Sequence, residues 1–137
     1  VLHLTGKGKM LASLAEAGEN YVAVEFLNEG MADAYAVADV VVARAGMGTI
    51  AELAALGKPA VLIPLPGTQQ EANAQALIER DAAVVVNFLT PQTLMQAITH
   101  LLVDQTRREQ LSHNIRGLFA LNADERIVHG CLELLKV

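Results

Sequence analysis

Gly46, Gly48, Thr49 and Glu52 are residues whose types and spacing could hold an anionic ligand. They sit in Arg44-Ala-Gly46-Met47-Gly48-Thr49-Ile-Ala-Glu52, directly after the apolar run at residues 40–43. That run has the length of a strand covered on both faces in a parallel sheet. The glycines let the backbone turn without Cβ clashes and leave room for close approach. A helix beginning here aims its first free N–H groups at that space, and such helix starts attract anions, phosphates above all. A structural role competes with this one. Thr49-Ile50-Ala51-Glu52 has the pattern of a capping box, in which the Thr hydroxyl satisfies the N3 amide and the Glu carboxylate returns to the cap residue's N–H. A carboxylate in the first turn would also repel a phosphate held there. In a nucleotide site Glu52 should therefore stand to one side and accept ribose hydroxyls, leaving residues 46–49 for the phosphates.

A second polar group is Gln69-Gln70-Glu-Ala-Asn73-Ala, the most polar opening of any expected helix in the chain. Neighbouring amides donate and accept at once, which suits a hydroxyl-rich sugar, although a solvated first turn has the same composition. Asn73, one turn further on, could instead brace the loop. Arg44 could hold an anion, or pair with a local carboxylate or carbonyl. Histidines 3, 100, 113 and 129 are scattered, none with a second ligand at metal spacing, and are expected to be packed or solvated. Neither a Gly-x-Ser-x-Gly elbow nor a Gly-x-x-x-x-Gly-Lys-Ser/Thr phosphate loop is present. The residues offer a place to bind, with no visible acid–base machinery and no metal set.

The elements that must position these groups alternate. Residues 1–4 read as a strand closed by Thr5-Gly6-Lys7-Gly8. Leu11, Leu14 and Ala15 share a helical face that stops at Ala17-Gly18. Residues 21–27 form a second strand, residues 31–38 a short helix, and Asp39 opens the central strand at 40–43. After the elbow helix, Gly57-Lys58-Pro59 is a stop and residues 60–64 a fourth strand. Pro64 and Pro66 lack the N–H a ladder needs, so a loop follows, then a helix at 69–80 and a fifth strand at 82–86. Thr90-Pro91 caps a helix with Leu94, Ile98, Leu101 and Leu102 buried. A helix at 105–121 turns Leu111, Ile115, Leu118 and Phe119 inward and Arg107, Arg108 and Glu109 outward, and a last helix covers 123–135. The pattern is that of one α/β domain, residues 1–137, with a parallel sheet of about five strands and helices on both faces. In such sheets ligands lie beyond the carboxyl ends of the strands, where Gly6, Leu27, residues 46–49 and Gln69 fall.

The totals narrow the function. The chain has 137 residues, 53% hydrophobic but 4% aromatic, which implies a core of Ala, Val, Leu and Ile. A formal charge of −5 with no basic run argues against nucleic acid as partner. No apolar stretch approaches the length of a membrane span, and the first residues lack the pattern of a signal peptide. Cys131 is alone, lies in an apolar helical pattern and is expected to be a small core residue in a reducing, cytosolic setting. Val1-Leu-His-Leu reads as the middle of a strand, so a fragment of a longer chain is expected.

Residues 38–60, followed by Ile63-Pro64 and Gln69-Gln70-x-x-Asn73-Ala74, resemble the C-terminal, nucleotide-sugar-binding half of GT-B glycosyltransferases of family 28. His3-Leu4-Thr5-Gly6-Lys7-Gly8 and Glu25-Phe26-Leu27 are similar to that family too. The resemblance is closest to members that add N-acetylglucosamine to undecaprenyl-diphospho-muramoyl-pentapeptide, the lipid II step of peptidoglycan synthesis. It implies a Rossmann-like fold whose first strand and Gly-Gly-Ser-Gln-Gly loop are missing, in a fragment of a two-domain enzyme. It further implies a hexosyltransferase with UDP-N-acetylglucosamine as donor and no cofactor or metal, inactive without its N-terminal acceptor-binding domain. The setting implied is cytoplasmic, peripheral to the inner face of the plasma membrane, with a lipid-linked acceptor at the membrane surface.

Carried over by position, Thr49 and the amides of Gly46, Met47 and Gly48 match diphosphate contacts, and Glu52 matches the ribose acid. Gln69 and Gln70 match the pair that reads the sugar, and the Leu27 main chain lies where uracil pairs. Arg44 and Asn73 complete the expected donor set, and no residue here is expected to be catalytic. The loop at residues 64–69 is shorter than in familiar members. Alternatives are the donor domain of a diacylglycerol glycosyltransferase using UDP-glucose or UDP-galactose, or a nucleotide-sugar-binding subunit of a two-chain transferase.

Overall fold

The computed structural model describes residues 1–14, 18–119 and 122–135. The chain divides into two compact units, residues 1–38 and 39–137.

In the first unit β1 (Leu2–Leu4) pairs in parallel with β2 (Val22–Val24), Leu2 opposite Val22 and Leu4 opposite Val24. The ladder runs on past the strands, since the Thr5 N–H donates to the Val24 carbonyl at 2.9 Å and the Gly6 N–H to the Glu25 carbonyl at 3.0 Å. β2 is shorter than the expected 21–27, because the last ladder bond it accepts is at Glu25 and none follows at Phe26 or Leu27. The His3 ring nitrogen Nδ1 and the Tyr21 hydroxyl are hydrogen-bonded, and the two rings meet edge to face. The helix expected around Leu11 and Leu14 is a single 3₁₀ turn at Ala12–Leu14 with Leu11 exposed, while Ala15 and Ala17 lie outside the described residues. Helix α1 (Met31–Val37) follows and buries Tyr35.

In the second unit β3 (Val41–Ala43), β4 (Ala60–Leu62) and β5 (Val84–Val85) form a parallel sheet in that order. The five expected strands are thus present and every pairing is parallel, but they hydrogen-bond as two plus three. β4, not β3, is the middle strand of its sheet. Its three residues are wholly buried, whereas Val42 of β3 is 42% exposed. Helices α2 (Met47–Leu56), α3 (Gln69–Glu79), α4 (Pro91–Val103) and α5 (Gln105–Arg116) flank this sheet, with α2 and α4 both packed on α5. Val61, Val86, Leu101 and Leu111 form the heart of the core, with Leu94 and Ile98 against it.

Local chemistry explains the boundaries. Gly57 adopts φ 63° to close α2, and the Lys58 N–H reaches back to the Leu53 carbonyl at 3.0 Å. Thr90 caps α4 as expected. Its hydroxyl accepts the Thr93 N–H at 3.1 Å, and the Thr93 hydroxyl accepts the Thr90 N–H at 3.0 Å, with Pro91 at the first helical position.

Four expectations about facing are corrected. Leu102 is 51% exposed because it falls off the Leu94–Ile98–Leu101 stripe. Gly117 ends α5 before residue 121, leaving Phe119 exposed, and Leu121 lies outside the described residues. Arg107 and Arg108 do not point freely outward. The first pairs with Asp81, and the second donates to the Leu101 and Leu102 carbonyls at 2.6 and 2.7 Å, closing the end of α4. Finally, Cys131 is exposed, because α6 (Ala123–Leu134) buries none of its residues. Among the described residues no helix is long and apolar enough to cross a membrane.

Candidate functional site

The elbow between β3 and α2 sets the site's geometry. Gly46 is the cap, with φ −74° and ψ 144°, and its carbonyl accepts the Ile50 N–H at 3.0 Å. The amides of Met47, Gly48 and Thr49 precede that first helical bond and have no intrahelical acceptor, so the positive end of the α2 dipole is open there. Thr49 is therefore the third helical residue rather than the cap, and Glu52 lies a turn beyond the start. The capping box does not form. The extended backbone of Gly46 already ends the strand, and closing the first turn from its carbonyl starts the helix three residues before the Thr-x-x-Glu pattern suggests. The first turn holds no acidic residue, so no carboxylate there would repel an anion at these amides. Neither Gly46 nor Gly48 needs positive φ, but a Cβ on either would meet nothing within 4 Å, so both leave open surface above the elbow.

Helix α3 is tied to this elbow. The Asn73 side-chain amide donates to the Ala45 carbonyl at 3.0 Å, across 28 residues of sequence, and Ala45 is fully buried. Asn73 thus braces the elbow rather than the preceding loop. That loop is held by Gln70, whose Oε1 accepts the Leu65 N–H at 3.1 Å. The Thr68 hydroxyl donates to the Leu65 carbonyl at 2.7 Å and accepts the Gln70 N–H at 3.3 Å. Arg44 is occupied similarly, donating to the Ile63 carbonyl at 3.2 Å.

Of the expected donor set, the second unit brings Met47, Gln69 and Asn73 together along one open groove of about 370 Å³, lined also by Ile50, Leu77 and Phe119. Gln69 is exposed, and neither its side chain nor the Thr49 hydroxyl is hydrogen-bonded to another described group. Gln70 and Arg44 are turned instead to backbone partners. Leu27 belongs to the first unit, half-buried in the loop after β2, with its Cδ2 3.7 Å from where a Cβ on Gly30 would stand.

One polar cluster was not legible in the residue types. Asp81, at φ 50°, ends α3 in the left-handed region. Its carboxylate takes a two-pronged pair from Arg107 at 2.7 and 2.5 Å and a further bond from Gln110 at 2.9 Å, while Asn114 donates to its carbonyl at 2.9 Å. The hydrogen bonds from Arg107 hold the Asp81 carboxyl below its ordinary range, and Asp81 in turn raises Arg107. The pair joins residues 26 apart, and its only sequence signal is an Asp directly after a helix end. Among the described residues no three His, Cys, Asp or Glu side chains cluster as a metal set would require.

Comparison with known proteins identifies the family. The family model described as glycosyltransferase family 28 C-terminal domain matches residues 1–127. The chain is 39% identical to a UDP-N-acetylglucosamine–N-acetylmuramyl-(pentapeptide) pyrophosphoryl-undecaprenol N-acetylglucosamine transferase of Paenarthrobacter aurescens, over 96% of the chain and 37% of the relative. It is 40% identical to the enzyme of the same name from Bacillus licheniformis, over 98% of the chain and 39% of that relative. The crystal structure of Acinetobacter baumannii MurG superposes with a TM-score of 0.80 at 31% identity, covering 93% of this chain and 39% of that one. The chain thus spans about two fifths of the length of these relatives. With parallel sheets of two and of three strands, an open elbow and a family match over nearly its whole length, the chain belongs to glycosyltransferase family 28 and is its C-terminal domain.

Proposed function

We propose that this chain is the donor-binding half of a hexosyltransferase that carries N-acetylglucosamine from UDP-N-acetylglucosamine to undecaprenyl-diphospho-muramoyl-pentapeptide, in peptidoglycan precursor synthesis. The observation that carries the reading is the elbow, where the three amides of Met47, Gly48 and Thr49 have no intrahelical acceptor and the glycines leave open surface at the start of α2. These groups suit the diphosphate of a nucleotide sugar. During transfer they would stabilise charge growing on the departing UDP, an inverting step that asks for no metal. Glu52, one turn beyond, accepts ribose hydroxyls, Gln69 reads the sugar, and the Leu27 main chain pairs with uracil. Asn73 and Gln70 hold the elbow and loop in place, and Arg44 fixes the end of β3. The names of the relatives support the acceptor, and the match to two fifths of their length supports a partner domain that binds it. Such an acceptor places the enzyme at the inner face of the plasma membrane, reached from the cytoplasm.

Titration calorimetry with UDP-N-acetylglucosamine, UDP-glucose and UDP tests this. UDP binding is expected to be lost in Glu52→Ala, and the preference for the N-acetylated sugar in Gln69→Ala. A folded chain that binds no uridine nucleotide would overturn the reading.

A further inference from the structure

The loop Thr5-Gly6-Lys7-Gly8-Lys9 leaves β1 at its carboxyl end, and the donor site described above gives it no role. Its base is fixed by the two bonds that extend the β1–β2 ladder. The turn then closes through the Lys9 N–H to the Gly6 carbonyl at 3.0 Å. Gly6 and Gly8 have φ 91° and 72°, whereas Lys7 between them is not positive. Alternation of this kind turns successive amides toward a common concavity, the geometry of a backbone anion nest. The amides of Lys7 and Gly8 donate to nothing among the described residues. A Cβ on Gly8 would meet no atom within 4 Å, so the concavity is open, and the Lys9 stem lies 3.4 Å from the Cβ position of Gly6.

Charge points the same way. Residues 1–38 carry five acidic residues and only two Lys or Arg, and both are in this loop. Lys7 and Lys9 are exposed, and neither pairs with a carboxylate among the described residues. An acidic unit that gathers both of its lysines around two amides with no acceptor among the described residues has the chemistry of an anion receptor.

We propose that this loop is a diphosphate subsite, with Lys7 and Lys9 as point charges and the Lys7 and Gly8 amides as directional donors. The choice of a diphosphate rests on the function proposed above, in which both donor and lipid-linked acceptor carry one. The test uses the 137-residue chain, its Lys7→Gln/Lys9→Gln variant and a Lys7→Arg/Lys9→Arg control, with circular dichroism confirming the fold. One arm titrates UDP against uridine. The other measures co-sedimentation with phosphatidylcholine vesicles containing farnesyl diphosphate, against plain vesicles.

Loss of two charge-assisted contacts should weaken binding about tenfold or more in one arm, with the arginine control close to wild type and uridine unaffected. A loss in the UDP arm assigns the subsite to the donor, and a loss in the vesicle arm assigns it to a lipid diphosphate. A glutamine variant equal to wild type in both arms overturns the proposal. If it keeps UDP binding that Glu52→Ala has lost, and also keeps vesicle binding, the subsite fails while the donor reading stands. If the wild-type chain ignores UDP but the vesicle arm still depends on the lysines, the donor reading fails while the subsite stands.

Discussion

Replacing Asn73 separates the support of the elbow from the elbow itself. Its amide donates to the carbonyl of Ala45, a fully buried residue immediately before the cap of α2. In Asn73→Ala that carbonyl loses its side-chain donor, and an unsatisfied buried acceptor costs about 1–3 kcal/mol. The groove beside Asn73 is open, so water can reach the site, which places the expected loss at the lower end, about 1–2 kcal/mol. With a urea m-value of about 2 kcal/mol/M, the unfolding midpoint should fall by about 0.5–1 M. Asn73→Asp should be worse at neutral pH, because it sets a carboxylate oxygen against a carbonyl oxygen. It should recover in acid, where a protonated carboxyl can donate. Urea unfolding at neutral and acidic pH measures both, and UDP titration should show weakened binding in each, since the amides of Met47, Gly48 and Thr49 lose their anchor. Midpoints and affinity equal to wild type in both variants would refute the assignment of Asn73 as the brace.

Gly57→Ala should destabilise the fold by about 1 kcal/mol, read from the thermal midpoint, because φ is 63° there; the added Cβ would meet only the exposed Arg116 side chain, which can swing away. The Asp81–Arg107 pair gives a pH signature. The folded-state carboxyl lies below its ordinary 3.8, so its stabilisation is full above the unfolded value and fades as pH falls through the folded one. Asp81 is 46% exposed, so screening limits the pair to about 1 kcal/mol, and Asp81→Asn should flatten the acid limb of the stability curve. Cys131 should react with a thiol reagent at the rate of an exposed cysteine without prior unfolding, and Cys131→Ser should leave the thermal midpoint unchanged.

The order and type of most elements were legible because strand-length apolar runs, glycine stops and the Thr90–Pro91 cap each carry a local physical signal. The start of α2 was not. Gly46 and Thr49 are both capable caps, and the choice depends on where β3 ends, which residue types alone do not specify. The polar residues proposed to hold the donor were legible as types, yet their separate positions were hidden. Gln69 and Gln70 are chemically identical, and only the structure shows that one lines the groove while the other holds Leu65. The Asp81–Arg107 clamp is a long-range pairing without local pattern, and the apolar spacing of α6 marks a face without saying whether the described residues cover it.

The most direct test of the elbow is an amide-resolved one. In the ¹⁵N-labelled chain titrated with UDP, the resonances of Met47, Gly48 and Thr49 should move together and saturate at one dissociation constant, with uridine producing no such movement. If UDP binds and those three amides stay still while others shift, the diphosphate is held elsewhere and the elbow is only the start of a helix.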